Sequence, residues 1–278
     1  MKIYSLALVA LMCSSIAQAQ LKTPAPSPTQ SIKQDFALSS VTLEYSRPSA
    51  KNRTVFGGLV PYNKVWRTGA NAASQITFGE DVTFGGVAVK AGKYAIYTIP
   101  KTENWEVMLY SDLNLGGNVA GYDATKEVAK VLVKNHHVAT KAETFTMQFQ
   151  NMTDNTMDLV IRWENTKVVI PIKAEIDERI MKNIESSVVK DNRPYYQAAS
   201  YYFNNNKDLK QALEWTNKAI EQNPVGFWIQ ALKARIQLKL NDKKGAATSA
   251  QKVIDLATKA NSDDYVKIGQ ELLKQAKN

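Results

Sequence analysis

An α+β fold is predicted by the sequence: an N-terminal antiparallel β-sandwich, jelly-roll-like, followed by a C-terminal α-helical repeat domain. Three observations carry that expectation. From Val41 to Ile172 apolar residues recur at every second position in short runs, with no helical pattern between them. At Glu175 the spacing changes to four. The length, 278 residues, suits about two domains, each large enough for its own core. The expected organisation is a signal peptide over 1–19, a proline-rich disordered linker over 20–33, the β-sandwich over 34–173 and the helical domain over 174–278.

The first twenty residues, MKIYSLALVALMCSSIAQAQ, have the three parts of a secretory signal: Lys2, the apolar stretch Leu6 to Met12, and the small-x-small site Ala17-Gln18-Ala19. Leu11 and Met12 are too bulky to make Cys13 a lipidation site. Cleavage before Gln20 removes the single cysteine, so the mature chain is expected to have neither a disulfide nor a thiolate. No later apolar run reaches the roughly 20 residues a membrane-spanning helix needs. Export to a periplasm, or secretion, is the expected destination.

The segment KTPAPSPTQ, Lys22 to Gln30, is proline-rich and polar and reads as an extended spacer. Val41, Leu43 and Tyr45 then alternate with Thr42 and Glu44. Runs of the same kind occupy Gln75–Phe78, Val82–Phe84, Val87–Val89, Tyr94–Ile99, Trp105–Tyr110, Val128–Val133, Thr144–Phe149, Met157–Trp163 and Lys167–Ile172. Phe84-Gly85-Gly86-Val87 is a two-residue hairpin, because paired glycines reach the positive φ such turns require. Glu164-Asn165-Thr166 reads as a second turn. Short strands without intervening helices imply a sandwich or barrel.

In the tail, Ile176, Ile180, Ile184 and Val188 fall four apart, the apolar line of one helix. Beyond Asn192 the chain resembles a tetratricopeptide-type repeat through Tyr196, Ser200, Phe203, Ala212, Ala219 and Pro224. Ala234 and Ala246 repeat the positions of Ser200 and Ala212, while Gln237 and Val253 stand where Phe203 and Ala219 stood. Asp263–Lys277 reads as a capping helix. The tail aromatics, among them Tyr195, Tyr202, Trp215 and Trp228, suit helix packing; a minority lining a concave face would hold a peptide or protein partner.

Formal charge is +9. It is unevenly spread: between Tyr45 and Gly79 there are five cations (Arg47, Lys51, Arg53, Lys64, Arg67) and no carboxylate. An exported chain with charge so concentrated is not read as a nucleic-acid binder. Guanidiniums stay charged, and a buried one needs an acceptor. Glu44, Asp81, Glu106 and Asp112 are the candidate acids within the chain. Backbone carbonyls or an anionic ligand are the other sources.

The stretch YSRPSAKNRTVFGGLVPYNKVWRTGANAASQITF from Tyr45, with AGKYAIYTIP at Ala91–Pro100, resembles the family called domain of unknown function 2911. The likeness extends over about 34–173. That family carries no established activity; the resemblance implies export, often with a helical tail, and marks Arg47, Pro48, Lys51, Arg53, Pro61, Tyr62, Trp66, Arg67, Gly69, Ala70 and Asn71 as signature positions. Asn63 stands where glycine is expected, and asparagine tolerates the left-handed conformation.

The expected site is a non-catalytic pocket for a small polar or anionic ligand. Its residues are Arg47, Lys51, Arg53, Tyr62, Trp66, Arg67 and Asn71, with the arginines as charge partners, Trp66 as a stacking wall and Asn71 as the orienting group. The rival is a scaffold in which the same residues only hold the sandwich together. A carbohydrate-active enzyme is the third reading, with Asp81 and Asp112 as its acid pair. No catalytic residue, metal or cofactor is assigned. His136 and His137 are adjacent and on a strand point to opposite faces, and the G-x-S-x-G and H-E-x-x-H patterns do not occur.

Overall fold

The computed structural model describes residues 23–189 and 194–278. The signal segment and cleavage site expected over 1–19 lie outside the described residues. The chain forms two units that divide between Glu175 and Ile176.

The first unit is built from nine antiparallel strands: β1 (Thr29–Phe36), β2 (Ser39–Ser46), β3 (Ser74–Phe78), β4 (Val82–Phe84), β5 (Val87–Val89), β6 (Gly92–Ile99), β7 (Asn104–Tyr110), β8 (Glu127–Gln150) and β9 (Thr156–Ala174). Their order is β1-β2-β3-β6-β7-β8-β9-β4-β5. This is a meander with one excursion, the β4–β5 hairpin, which joins β9. The hairpin turns at Gly85 and Gly86 with φ of 55° and 88°, as the paired glycines imply.

Two long strands let the sheet curl over itself. The first third of β8 pairs with β7, and the remainder, from Asn135, pairs with β9. Its distal part then meets the end of β2: the Tyr45 hydroxyl donates to the Met147 carbonyl at 2.8 Å, and the Tyr45 and Phe145 rings meet edge to face at 5.8 Å. Inward residues of both layers fill the space between, including Leu43, Ile76, Ile96, Trp105, Phe145 and Trp163, each no more than 1% exposed. Burying such side chains contributes roughly 1.5–3 kcal/mol apiece before entropy is charged against it.

Three expectations are corrected here. Residues 29–33 belong to β1 and not to a disordered linker. Their backbone is paired residue for residue with β2, from Thr29 opposite Ser46 to Phe36 opposite Ser39. Glu164-Asn165-Thr166 does not reverse the chain. Glu164 takes φ 48° inside a continuous β9, opposite a stretch of β8 where the register shifts, so the irregularity bends the pair instead of ending it. The runs at Val128–Val133 and Thr144–Phe149 are two parts of one strand.

The second unit comprises α1 (Asp177–Ile184), a π-helical turn (Glu185–Val189), α2 (Tyr195–Asn204), α3 (Leu209–Gln222), α4 (Phe227–Lys239), α5 (Lys243–Lys259) and α6 (Asp263–Lys277). Asp208 caps α3 through the Lys210 and Gln211 amides, and Asp242 caps α5 through the Gly245 amide. Ala212, Ala234 and Ala246, which the sequence matched to repeat positions, are fully buried. Gln237, the polar departure from the repeat pattern, is buried as well. Its amide donates to Asp242 at 2.9 Å and its carbonyl accepts from the Ser249 hydroxyl at 2.6 Å, so both ends are satisfied.

Candidate functional site

The arginine-bearing segment, residues 47–73, links β2 to β3 and is fastened to the strands beneath it. The Arg47 amide donates to Pro28 O at 2.9 Å, Ala50 N to Glu143 O at 2.8 Å, and Phe145 N to Pro48 O at 2.8 Å. Its tight turns use residues that accept left-handed backbone. Asn63 has φ 60°, so the asparagine does serve where glycine was expected, and Asn71 also has φ 60°. Gly57 has φ 87° and lies under the Tyr62 ring, where an added Cβ would stand 2.8 Å from Cε2. Trp66 is locked to β6 by reciprocal backbone bonds with Thr98, 2.8 and 2.9 Å. The Ser74 hydroxyl closes the turn on Thr68 O.

Trp66 sits at the edge of an aromatic cluster. Its indole stacks on Trp163 at 6.0 Å and 20°, and meets Phe145 at 5.4 Å, Phe56 at 6.1 Å and Trp105 at 6.2 Å edge to face. The indole N–H donates to Gly69 O at 3.1 Å. Most of this ring is therefore core, and only part of it faces outward. Such aromatic pairs add about 0.5–1.5 kcal/mol each beyond their buried area.

The arginines find carbonyls and a hydroxyl. Arg47 donates through Nε to Phe145 O at 3.3 Å and through Nη2 to the Thr146 hydroxyl at 3.1 Å. Arg53 donates to Ala50 O and Ser49 O, both at 2.9 Å. Arg67 has one bond, from Nη1 to Gly117 O at 3.3 Å, and its Nε is buried without a partner. Among the described residues none of the three is in an ion pair. The four acids singled out in the sequence all pair with lysines instead: Glu44 with Lys93, Asp81 with Lys90, Glu106 with Lys101 and Lys130, and Asp112 with Lys126. Hydrogen bonds from Lys101 and Lys130 hold the Glu106 carboxyl below the ordinary glutamate range, and Lys126 does the same to Asp112.

A cleft of about 260 Å³ is lined by Arg53, Leu59, Trp66, Arg67, Ala70 and Trp163, together with Ser27 and Pro48. Arg53, Trp66 and Arg67 are thus brought together. The other expected site residues are placed elsewhere. Arg47 is turned to β8. Lys51 has φ 50° in an exposed turn, held through its backbone amide to the Glu143 carboxylate at 2.7 Å. Tyr62 covers Gly57. The Asn71 carboxamide donates to Ser27 O and to the Ser46 hydroxyl, both at 3.2 Å, so it ties down the segment before β1. Asp81 and Asp112 do not line the cleft, and each carries its own lysine.

Two contributions escaped the sequence reading. Trp163, far along the chain, supplies the second indole; its inward position in an alternating run was the only sign. Gly117 belongs to the loop after β7, and an added Cβ there would stand 2.2 Å from Asn71 O and 3.3 Å from Arg67 Cδ. That loop is braced by three tyrosines. The Tyr97 hydroxyl donates to Gly116 O at 2.7 Å, the Tyr110 hydroxyl accepts from Asp123 N at 3.1 Å, and the Tyr122 hydroxyl donates to Glu127 at 3.0 Å. Burial, with Tyr110 and Asp112 nearby, pushes the Tyr97 phenol up to about 12. His136 and His137 are both exposed on β8, and among the described residues no cluster of three or more His, Cys, Asp or Glu is placed to hold a metal.

Fold and cleft define the class: an α+β protein whose antiparallel β unit carries an arginine- and tryptophan-lined recess, followed by a helical unit. The family model described as a protein of unknown function (DUF2911) matches residues 27–172, more than half of the chain, and the chain belongs to that family. The match begins just before β1, in keeping with that strand's place in the sheet. No curated protein and no solved structure matches the chain.

Proposed function

We propose that the β unit is a non-catalytic binding module for a small polar or anionic ligand, in a protein that acts outside the cytoplasm, and that the helical unit recruits a peptide or protein partner. The observation that carries the first part is the pairing pattern. Arg53 and Arg67 border one cleft without a carboxylate partner, whereas the four acids singled out in the sequence are taken by lysines. A cation bonded only to carbonyls keeps its full charge and attracts an anion. Export is supported by the signal-like pattern of residues 1–19, and the partner role by the repeat pattern of the tail.

The test is a thermal-shift screen of the purified protein against phosphate, organic acids and neutral sugars, repeated on Arg53→Ala. An anion that raises the wild-type melting temperature and leaves that of Arg53→Ala unmoved supports the module. No shift from any anion contradicts it. The scaffold reading also has a specific observation behind it: Arg47 and Arg53 spend their bonds on carbonyls and a hydroxyl of this chain, and Trp66 is mostly packed. Under that reading Arg53→Ala lowers the melting temperature of the free protein, and no ligand restores it.

A further inference from the structure

We infer that the cleft takes an amphipathic organic anion, a carboxylate joined to an aromatic or branched apolar group. This rests on the binding reading above and narrows it. The cleft's side chains divide into two kinds. Arg53 and Arg67 supply charge, while Leu59, Ala70 and the outward part of Trp66 supply apolar surface, with the buried Trp163 behind them. Leu59 is 44% exposed at the rim, a large apolar side chain left facing water.

The hydrogen-bonding inventory points the same way. Each guanidinium has five N–H donors and no acceptor. Arg67 gives Nη1 to Gly117 O, which leaves Nη2 unclaimed, while Nε is buried out of reach of solvent. Nη2 is left to give a carboxylate oxygen a charge-assisted bond. Arg53 has Nε and Nη2 engaged and Nη1 unclaimed.

Acceptors are scarce by comparison. The lining side chains include no carboxylate, carboxamide or imidazole. A sugar presents hydroxyl protons that need acceptors, and among the lining side chains it finds only the Ser27 hydroxyl. Inorganic phosphate would satisfy the guanidiniums yet leave Leu59 and the indole edges against water. An organic anion with an apolar group uses both halves of the lining.

Titration calorimetry of the purified protein with five probes distinguishes these cases: phenylacetate, acetate, phenylacetamide, inorganic phosphate and, as a neutral sugar, methyl glucoside. Phenylacetate is expected to bind at one site, roughly tenfold or more tighter than acetate because its ring is buried. Phenylacetamide, which keeps the ring and loses the charge, is expected to bind at least about tenfold more weakly than phenylacetate. Leu59→Ala should remove part of the preference for phenylacetate over acetate. Arg53→Ala, whose side chain is exposed and bonded only to carbonyls, should weaken both anions without unfolding the protein.

Acetate or phosphate binding as tightly as phenylacetate overturns the amphipathic assignment and leaves the anion module standing. Methyl glucoside binding in preference to the anions overturns the assignment in favour of a polyhydroxy ligand. Silence from every probe overturns both the assignment and the module.

Discussion

The segment between β2 and β3 and the strands that follow it handle positive charge in opposite ways. From β6 onward several lysines stand beside carboxylates: Lys93 reaches Glu44 at 2.7 Å, Lys126 reaches Asp112 at 2.6 Å and Lys130 reaches Glu106 at 2.9 Å. Arg47, Arg53 and Arg67 meet carbonyls and a hydroxyl. The lysine pairs are compensated; the exposed ones contribute little to stability, and the half-buried Glu106, held by two lysines, contributes more. The arginines are fixed in direction but not neutralised. Charge count alone would not separate the two groups; partner type does.

Each half of this comparison can be attacked, beginning where the effect is greatest. Trp163→Ala removes a 1%-exposed indole from the cluster behind the cleft, and the expected loss is about 3–5 kcal/mol in urea unfolding. A loss below about 1 kcal/mol would mean that the indoles do not form the floor on which the arginines rest. Gly117→Ala is next. Its Cβ would stand 2.2 Å from Asn71 O, so the loop must shift, at an expected cost of about 1–3 kcal/mol with weakened anion binding. Unchanged binding there would show that Arg67 needs no brace.

Acidification sharpens the contrast. Glu106 is held below its ordinary 4.5, so its pairing stabilises the folded protein above that value and the contribution is lost as pH falls through the lowered one. Unfolding measured at descending pH should show this loss below about pH 4.5, and Glu106→Gln should flatten it. Guanidiniums do not titrate in that range, so binding of an anion that stays ionised should be level from about pH 5 to pH 9. The smallest effect belongs to Lys90→Ala, which breaks a fully exposed pair with Asp81 and should leave the melting temperature where it was.

The sequence was informative where side chains themselves carry the signal. Alternating residues placed the inner strands, Gly85-Gly86 placed the hairpin, and Asn63 announced a left-handed turn. It was silent where the backbone or a distant strand decides. β1 was hidden because QSIKQDF is mostly polar on an edge strand, so its pairing with β2 has little apolar pattern to betray it. The middle of β8, KNHHVATKAE, is largely solvent-facing and carries no period at all.

At the site, the run of cations without acids was legible, and so was the tryptophan. Which cations share a cleft was not. Arg47 and Arg53 are six residues apart, yet one faces β8 and the other borders the recess, because the turn at Lys51 and Asn52 with φ of 50° and 58° lies between them. The carbonyls that receive the guanidiniums belong to Phe145, Ala50, Ser49 and Gly117, and no residue type encodes where a carbonyl will point.

The claim on which the rest depends is that the guanidiniums of the cleft await an anion from outside the chain. Its most direct measurement is the melting temperature of the wild type and of the Arg53→Ala, Arg67→Lys double variant, each with and without phenylacetate. The expected result is two free proteins that melt close together, of which only the wild type gains on adding the anion. A double variant that already melts far below an unresponsive wild type would contradict the claim, for the arginines would then serve the carbonyls alone.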